Sequence, residues 1–215
     1  MIKIAPSILA ADLMDIKNEI ELVDKNGVEY IHIDVMDGHY VDNITFGPNM
    51  VKSIRPFTKK LLDVHLMITP VKKYINDFIN AGADIISFHP EADLNSKDII
   101  KQIKSNDCKA GIAIHPKITV KEINQYLNDI DLVVVMTVVP GFGGQKFMNS
   151  EVEKISELAN IREQNNLNFE IEIDGGINQE TSIICKKNKA DVLVAGSYIF
   201  SNDRENYKKM IDSLR

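Results

Sequence analysis

Short runs of apolar and β-branched residues alternate along the chain with longer stretches in which apolar residues recur every three or four positions. Each short run predicts a buried β-strand, and each longer stretch predicts an amphipathic helix. The predicted strands begin near Ile2, Tyr30, Leu61, Asp84, Ala110, Leu132, Glu170 and Asp191. The pattern therefore predicts eight strand–helix units, spaced roughly 25 to 30 residues apart.

The clearest helix follows the first strand. Within "DLMDIKNEIELVDKNG", apolar residues form one stripe between Leu13 and Val23, and Gly27 is a plausible stop. The segment "PVKKYINDFINAG" repeats the design, with Pro70 near its start and Gly82 after its end. The segments "SEVEKISELANIREQNN" and "NDRENYKKMIDSLR" are similar, so a helix is expected after each strand.

Strands that alternate with helices pair in parallel, in a sheet that is covered by helices. Eight such units predict an α/β fold of the closed (β/α)₈ TIM-barrel type, forming a single domain over residues 1–215. An open, doubly wound sheet is the structural alternative. When it binds a dinucleotide it carries a glycine-rich turn after its first strand. That turn reads "APSILAADL" here and contains no glycine, which favours the barrel.

Composition narrows the class of protein. Apolar residues make up 44% of the chain and charged residues 26%, with a net charge of −6 and no marked basic run, so we expect no nucleic-acid partner. The longest apolar run, "LVVVMTVVPGF", is too short to span a membrane, and "MIKIAPSIL" reads as a strand, not a signal peptide. The two cysteines, Cys108 and Cys185, form no CxxC motif. We therefore expect a cytoplasmic protein with free thiols and no membrane contact.

Histidines concentrate where a barrel enzyme has its active site, at the carboxyl ends of the strands. The chain has five histidines, and all lie at or just beyond a predicted strand end: His32, His39, His65, His89 and His115. A single histidine at such a place is most often a packing residue. Five at one rim favour a functional site.

Four of the polar residues can converge at the mouth of a closed barrel. His32 and Asp34 are two positions apart and therefore point to the same face of their strand. His65 is expected to end the third strand and Asp174 the seventh. Two imidazoles and two carboxylates suit one divalent metal ion, and they do not distinguish Zn²⁺, Fe²⁺, Mn²⁺ and Co²⁺.

Glycines follow the sixth, seventh and eighth strands, in "PGFGG" (140–144), "GG" (175–176) and "GS" (196–197). Backbone N–H groups can close on a phosphate only where no side chain intrudes, and barrels often hold phosphate after strands seven and eight. Glycines that only form tight turns are the alternative. Three clusters at neighbouring strand ends favour an anion site.

Together these features constrain the reaction. A metal can polarise a carbonyl group and stabilise the enediolate that forms when the adjacent proton leaves. A carboxylate on each face of that planar intermediate could remove a proton from one side and return one to the other. The product would be an epimer.

The motifs "APSILAADL", "HIDVMDGHYV", "DVHLM", "PGFGGQ", "IEIDGGI" and "AGSYIF" make the whole chain resemble the ribulose-phosphate 3-epimerase family. The resemblance implies a (β/α)₈ barrel of the pentose phosphate pathway that interconverts ribulose 5-phosphate and xylulose 5-phosphate with a divalent metal. It also implies a small-molecule sugar phosphate as substrate and a homo-oligomer, a dimer or a hexamer.

The same resemblance implies roles for individual residues. The metal ligands would be His32, Asp34, His65 and Asp174, and Asp34 and Asp174 would be the paired acid and base. The substrate would contact Ser7, His65, Gly141, Phe142, Gly143, Gly144, Asp174, Gly175, Gly176, Gly196 and Ser197. Met36, Met67 and Met136 resemble the family's methionine layer at the metal, although flexible core filling is an equal explanation for them.

Three positions depart from the family pattern: Asp42 replaces a usual proline, His115 stands where asparagine is common, and Val139 replaces a polar residue. These changes bear on substrate preference. An epimerase for a hexulose phosphate such as allulose 6-phosphate is therefore the nearest rival, although "GFGG" and "DGGI" favour the pentulose.

Three other classes fit less well. A Schiff-base aldolase needs a lysine at a strand's carboxyl end, whereas Lys3 and Lys60 lie at strand beginnings. A metal-dependent hydrolase would show paired histidines after the first strand. A non-catalytic sugar-phosphate sensor would not need both carboxylates.

Overall fold

The computed structural model describes residues 2–215, which form eight parallel strands with helices between them. The strands are β1 (Lys3–Pro6), β2 (Tyr30–Met36), β3 (Leu61–Met67), β4 (Ile85–Phe88), β5 (Lys109–Ile114), β6 (Leu132–Met136), β7 (Glu170–Asp174) and β8 (Val192–Ala195). Every strand begins within one residue of its predicted start. The expected (β/α)₈ architecture is confirmed.

The strands form one sheet in the order β1-β8-β7-β6-β5-β4-β3-β2. The first strand pairs with the last, beginning with Lys3 beside Val192. The remaining seam, between β1 and β2, closes through a parallel bridge between Ser7 and His32 and a hydrogen bond from Glu29 N to Ile4 O of 3.2 Å. The sheet is thereby rolled into a barrel whose strand ends meet at a common mouth.

The α-helices surround the barrel. They are α1 (Ile16–Lys25), α2 (Pro48–Ile54), α3 (Ile75–Ala81), α4 (Ser96–Lys104), α5 (Val120–Ile123), α6 (Val152–Gln164), α7 (Gln179–Lys187), α8 (Ser197–Phe200) and α9 (Tyr207–Leu214). Two predicted starts are too early: Leu13 lies in a separate 3₁₀ turn, and α3 begins five residues after Pro70. Gly82 does end α3, with a left-handed φ of 104° that glycine adopts without strain.

The period of two along each strand separates two environments. Outward residues such as Ile31, Ile33 and Val35 are buried beneath the helices in the main apolar core. Inward residues of the same strand include His32 and Asp34, which are also buried. The interior of this barrel is therefore partly polar, and that polar part lies towards the mouth.

The opposite, amino-terminal end of the barrel is closed by a separate polar group. Lys3 donates hydrogen bonds to Tyr30 and Glu170, and the Tyr30 hydroxyl donates to Glu170 at 2.5 Å. The ammonium group of Lys3 is thus at the end remote from the mouth, which disfavours a Schiff-base aldolase. No helix within residues 2–215 is both long enough and apolar enough to cross a membrane.

Candidate active site

The five histidines are not equivalent in the structure. His32 and His65 lie inside β2 and β3, not at their ends as expected, and both are fully buried. His89 and His115 follow β4 and β5. His39 stands apart, with a side chain 75% exposed that contacts only its neighbour Asp37 among the acidic groups. His39 thus follows the end of β2 as expected, but its side chain faces solvent and takes no part in the buried cluster.

The four residues singled out from the sequence come together at one point. The Nε2 atom of His32 lies 3.4 Å from Asp34 Oδ1 and 3.8 Å from Asp174 Oδ2. The Nδ1 atom of His65 lies 3.5 Å from each of the same two oxygens. All four atoms lie within 4.8 Å of one another. Two imidazoles and two carboxylates therefore face a common centre.

This centre fits a divalent cation. His32 Nε2 and His65 Nδ1 are buried and have no hydrogen-bond partner within residues 2–215. A tetrahedral ion with ligand distances near 2.1 Å needs ligand atoms about 3.4 Å apart, and the four spacings between an imidazole nitrogen and a carboxylate oxygen, 3.4 to 3.8 Å, are close to that value. A bound cation would satisfy both nitrogen atoms. The mixed N/O donor set is compatible with several transition metals and does not select one.

The site is electrostatically coupled. Burial lowers the pKa of His32 and His65, but the neighbouring carboxylates outweigh burial and raise the pKa of both imidazoles above the ordinary value. Burial alone would raise the pKa of Asp34. The positive charges of the nearby His32 and His65 imidazoles lower it instead. Without a cation, the imidazoles thus favour their protonated forms and Asp34 favours its ionised form.

A second pair of carboxyl groups lies behind His32. Its Nδ1 atom donates a 2.6 Å hydrogen bond to Asp63 Oδ2, and Glu172 Oε1 is 3.6 Å from the same nitrogen. Burial, followed by the charge of Asp63, raises the pKa of Glu172 well above its usual range. Asp63 can therefore fix which nitrogen of His32 faces the centre, while Glu172 favours its neutral form.

Asp63 and Glu172 are not among the residues expected at the site from the sequence, although a signal for them is present. Each stands two positions before a proposed ligand, His65 or Asp174. The period of two therefore places all four on the inner face of the barrel.

A row of aromatic side chains extends from His65 towards the surface. The Nε2 atoms of His65 and His89 are 3.0 Å apart. The Tyr40 ring stacks on His89 with centroids 4.8 Å apart, and its hydroxyl donates a 2.8 Å hydrogen bond to Glu91. Burial lowers the pKa of His89 to about 4, so its imidazole is neutral. His115 lies edge-on to His89, with centroids 6.4 Å apart.

A cavity opens above the four-residue centre. It is lined by ten of the eleven expected substrate contacts: Ser7, Gly141, Phe142, Gly143, Gly144, Asp174, Gly175, Gly176, Gly196 and Ser197. His65 is the exception, because it is fully buried and does not line the cavity. Asp34 and the three methionines Met36, Met67 and Met136 also line the cavity. Its wall contains neither Lys nor Arg among the described residues.

The structural requirement for glycine differs among the glycines of this wall. Gly175 has a φ of 125°, and a Cβ atom there would lie 2.6 Å from a Val138 methyl group. Gly176 has a φ of 65°, and its Cβ would lie 2.5 Å from Phe147 N. Backbone conformation and packing therefore explain these two. A Cβ at Gly143 would meet only Leu9 Cδ2, at an ordinary contact distance of 3.8 Å, so packing does not account for glycine there.

The three departures from the family pattern lie together in a second groove. Asp42, His115 and Val139 line it, and it shares Phe142 and Gln145 with the cavity above the centre. None of the three contributes to the four-residue centre. The three departures therefore lie beside the cavity and outside the four-residue centre.

Comparison with known proteins decides the family. A model of the ribulose-phosphate 3-epimerase family matches residues 3–200. The chain belongs to the ribulose-phosphate 3-epimerase family. Its resemblance to that family, first drawn from the motifs, is confirmed.

Curated relatives of the ribulose-phosphate 3-epimerase family match over nearly the whole chain. The ribulose-phosphate 3-epimerase of Bacillus subtilis is 47% identical, and the match covers 100% of this chain and 99% of the relative. The corresponding protein of Escherichia coli K12 is 38% identical over 99% of this chain and 94% of its own length. A chloroplastic ribulose-5-phosphate-3-epimerase of Arabidopsis thaliana is 40% identical, with 99% and 75% coverage.

Solved structures give the same architecture at low identity. A 3-keto-L-gulonate-6-phosphate decarboxylase of Vibrio cholerae superposes with a TM-score of 0.70 at 16% identity, covering 100% of this chain and 95% of the other. A tryptophan synthase alpha subunit of Pyrococcus furiosus gives 0.72 at 13% identity, with 100% and 99% coverage. At these identities the similarity supports the fold alone.

Proposed function

We propose that this protein interconverts D-ribulose 5-phosphate and D-xylulose 5-phosphate by inverting the configuration at C3. One observation carries the proposal: Asp34 and Asp174 reach the same two imidazole nitrogens from different strands. β2 and β7 are separated by β1 and β8 around the barrel. The two carboxylates therefore approach the mouth from different sides, as a two-base epimerisation requires.

In this mechanism Asp34 and Asp174 move the protons. One carboxylate removes the C3 proton from its face of the sugar, and the other, in its acid form, delivers a proton to the opposite face. In the reverse direction the two exchange roles. Ser7 donates a 2.6 Å hydrogen bond to Asp34 Oδ2 and so holds that carboxylate in a fixed orientation. The low exposure of the centre keeps bulk water away from the reacting carbon.

His32, Asp34, His65 and Asp174 would hold one divalent cation, Zn²⁺, Fe²⁺, Mn²⁺ or Co²⁺. When bound, such a cation supplies positive charge for the oxygen atoms on which negative charge develops. His32 and His65 have their second ring nitrogens engaged by Asp63 and His89. Each imidazole is therefore held with its free nitrogen directed to the centre.

The phosphate group of the substrate would bind along the glycine-lined wall. Gly196 and Ser197 begin α8, where the first N–H groups have no partner inside the helix. Gly143, Gly144 and Gly176 line the adjoining wall. Since no Lys or Arg lines this part of the described chain, recognition would depend mainly on backbone N–H groups.

The test is to incubate metal-loaded protein with ribulose 5-phosphate and to identify the product by NMR. Formation of xylulose 5-phosphate supports the proposal. Faster turnover of allulose 6-phosphate would favour the hexulose alternative, which the exposed Val139 and the groove beside the cavity make worth testing. Tight binding of either sugar phosphate without turnover would indicate a non-catalytic sensor.

Three broader expectations belong to the same proposal. Residues 1–215 would act as one catalytic domain, because a single barrel spans the described chain. A cytoplasmic location is supported by two buried, free thiols, Cys108 and Cys185.

Assembly as a dimer or a hexamer is supported by exposed apolar side chains, of which Met14 and Leu94 are the most exposed.

A further inference from the structure

His89 is a fully buried histidine that the proposed proton transfer does not use. It follows the end of β4, and its Nε2 atom lies 3.0 Å from Nε2 of His65. Its Nδ1 atom has no hydrogen-bond partner within the described chain and faces Glu91 Oε1 at 3.6 Å. A buried imidazole with both nitrogens facing specific polar atoms is more constrained than a packing residue needs to be.

The tautomers of His65 and His89 both follow from the proposal that His65 binds a cation through Nδ1. If His65 binds a cation through Nδ1, its proton must be on Nε2, because a coordinating nitrogen has no proton. His89 Nε2, 3.0 Å away, must then accept that hydrogen bond and carry no proton. A neutral His89 therefore keeps its proton on Nδ1, on the side of the Glu91 carboxylate.

Tyr40 holds the outer end of the row. Its ring stacks on His89 with an interplanar angle of 30°, and its hydroxyl donates to Glu91 Oε1 at 2.8 Å. The same carboxylate oxygen thus faces both Tyr40 and His89. His32 has a shorter arrangement of the same kind, because its Nδ1 atom donates directly to Asp63. Each metal-facing imidazole is backed by a carboxylate, one directly and one through a second imidazole.

We propose that His89 and Glu91 form a positioning arm that holds His65 in its metal-binding orientation and tautomer. A 3.0 Å hydrogen bond joins His65 to His89, and the protonated Nδ1 of His89 faces the Glu91 carboxylate at 3.6 Å in an electrostatic contact, with Tyr40 fixing the carboxylate. The inference rests on the proposed metal centre and goes beyond it, because His89 and Glu91 are neither ligands nor contacts of the substrate. Outer partners of metal-binding histidines contribute about 10- to 100-fold in affinity.

The first test uses the wild-type protein loaded with Zn²⁺. Long-range ¹H–¹⁵N correlation spectra distinguish protonated from unprotonated ring nitrogens. The arm requires His65 to be protonated on Nε2, and His89 to be protonated on Nδ1 and unprotonated on Nε2. A spectrum in which His89 carries its proton on Nε2 would overturn the inference without any variant being made.

The second test measures Zn²⁺ affinity by competition with a fluorescent chelator. His89→Phe keeps a planar ring but removes both nitrogens, so we expect affinity to fall about 10- to 100-fold. His89→Gln retains an acceptor for His65 and should recover most of that loss. Glu91→Gln should give a smaller decrease than His89→Phe. His115→Phe is the matched control, since His115 lies beside His89 but does not contact His65, and its affinity should equal that of wild type.

The outcomes separate the arm from the metal centre. If wild-type protein binds no Zn²⁺, the proposed centre fails and the arm fails with it. If wild type binds Zn²⁺ and His89→Phe binds it equally well, the centre stands and the arm is wrong. If His89→Phe does not fold, the spectra of wild type and the affinity of His89→Gln decide. A His89→Gln affinity far below that of wild type would count against hydrogen bonding as the mechanism.

Discussion

Ser7 and Asp34 connect the closure of the barrel to its chemistry. Ser7 Oγ donates a 2.6 Å hydrogen bond to Asp34 Oδ2, and the backbone of Ser7 forms the bridge to His32 that joins the two sides of the seam. Asp34 Oδ1, the other oxygen, faces His32 and His65. One carboxylate thus has one oxygen fixed by the seam and the other directed at the centre.

Removal of this hydrogen bond should slow the reaction without unfolding the protein. A hydrogen bond to a charged group contributes about 1.5 to 3 kcal/mol, so Ser7→Ala should lower kcat/KM by roughly 10- to 100-fold. Ser53→Ala, which loses an exposed hydroxyl on α2, is the control and should leave kcat/KM unchanged. Steady-state kinetics with ribulose 5-phosphate give both values. Equal rates for Ser7→Ala and wild type would show that Asp34 does not depend on Ser7 for its orientation.

Removal of the metal should abolish activity. The four proposed ligand atoms lie within 4.8 Å of one another. Two of them, His32 Nε2 and His65 Nδ1, have no hydrogen-bond partner in the described chain, and a shared cation would satisfy both. Dialysis against a chelator should therefore eliminate turnover, and stoichiometric addition of a divalent cation should restore it. Elemental analysis of the dialysed sample is the control. Full activity in protein verified as metal-free would contradict the assignment.

The pH dependence of stability should change sign when the cation is bound. The folded pKa values of His32 and His65 are raised. In metal-free protein, the stability from their protonation is complete below the unfolded value of about 6.5 and is lost as the pH rises through the folded values. Cation binding requires neutral imidazoles, so its contribution grows over the same range.

Calorimetry at several pH values between about 6 and 9 can measure this difference. The gain in Tm on adding Zn²⁺ should increase with pH, and the Tm of the metal-free protein should decrease. A gain in Tm that is constant with pH would show that these two histidines do not exchange protons for the cation.

Gly196 tests the proposed phosphate site. A Cβ atom at this position would lie 3.3 Å from Ala10 Cβ and 3.6 Å from Ser7 Cβ, so a larger side chain must project into limited space beside the cavity. Gly196→Val should raise KM for the phosphorylated sugar about tenfold or more, through lost binding. Gly47→Ala provides the control, because a Cβ there meets nothing within 4 Å. Unchanged KM in Gly196→Val would place the phosphate elsewhere.

Solvent exchange tests the two carboxylates directly. In D₂O, product should carry deuterium at C3 from the first turnover, because the base that accepts the substrate proton is not the acid that supplies the new one. Asp34→Asn and Asp174→Asn should each lose epimerisation by roughly 10²- to 10⁴-fold or more, since both also contact the proposed cation. NMR of the recovered sugars measures both quantities.

The single variants should also differ from each other. Each variant retains one carboxylate, which faces only one side of the sugar. One variant should therefore still exchange with solvent the C3 proton of one epimer and not that of the other. Equal exchange of both epimers by both variants, or wild-type product without solvent deuterium, would reject the assignment of Asp34 and Asp174 as opposite-face bases.

Much of the fold could be predicted because the barrel imposes a regular pattern. Every strand has outward side chains that must be apolar to pack beneath helices, and this produced the eight recognisable runs. The start of α3 was misplaced because Val71 is apolar and fully buried, as a helical residue would be, although it lies in the preceding turn. Burial alone does not distinguish a helix from a loop that packs on the core.

The site was predictable only in part for a related reason. Positions two apart on one strand share a face, so His32 and Asp34 could be grouped from sequence alone. The contact between His65 and His89 depends on how far neighbouring strands are staggered, which the order of residues does not reveal. For the same reason His39 could not be separated from the buried histidines, since its loop turns it outward.

The seam between the ends of the chain also affects how the protein is made. Because Lys3 pairs with Val192, β1 can complete its pairing with β8, and so close the barrel, only after β8 has been synthesised. Such a contact spans nearly the whole chain and carries a large loop-closure entropy, so it is expected to form late in folding. The barrel is therefore completed in one of the last folding steps, and a nascent chain that has not reached β8 can have all four proposed ligands while still lacking the part of the cavity wall that Gly196 and Ser197 supply.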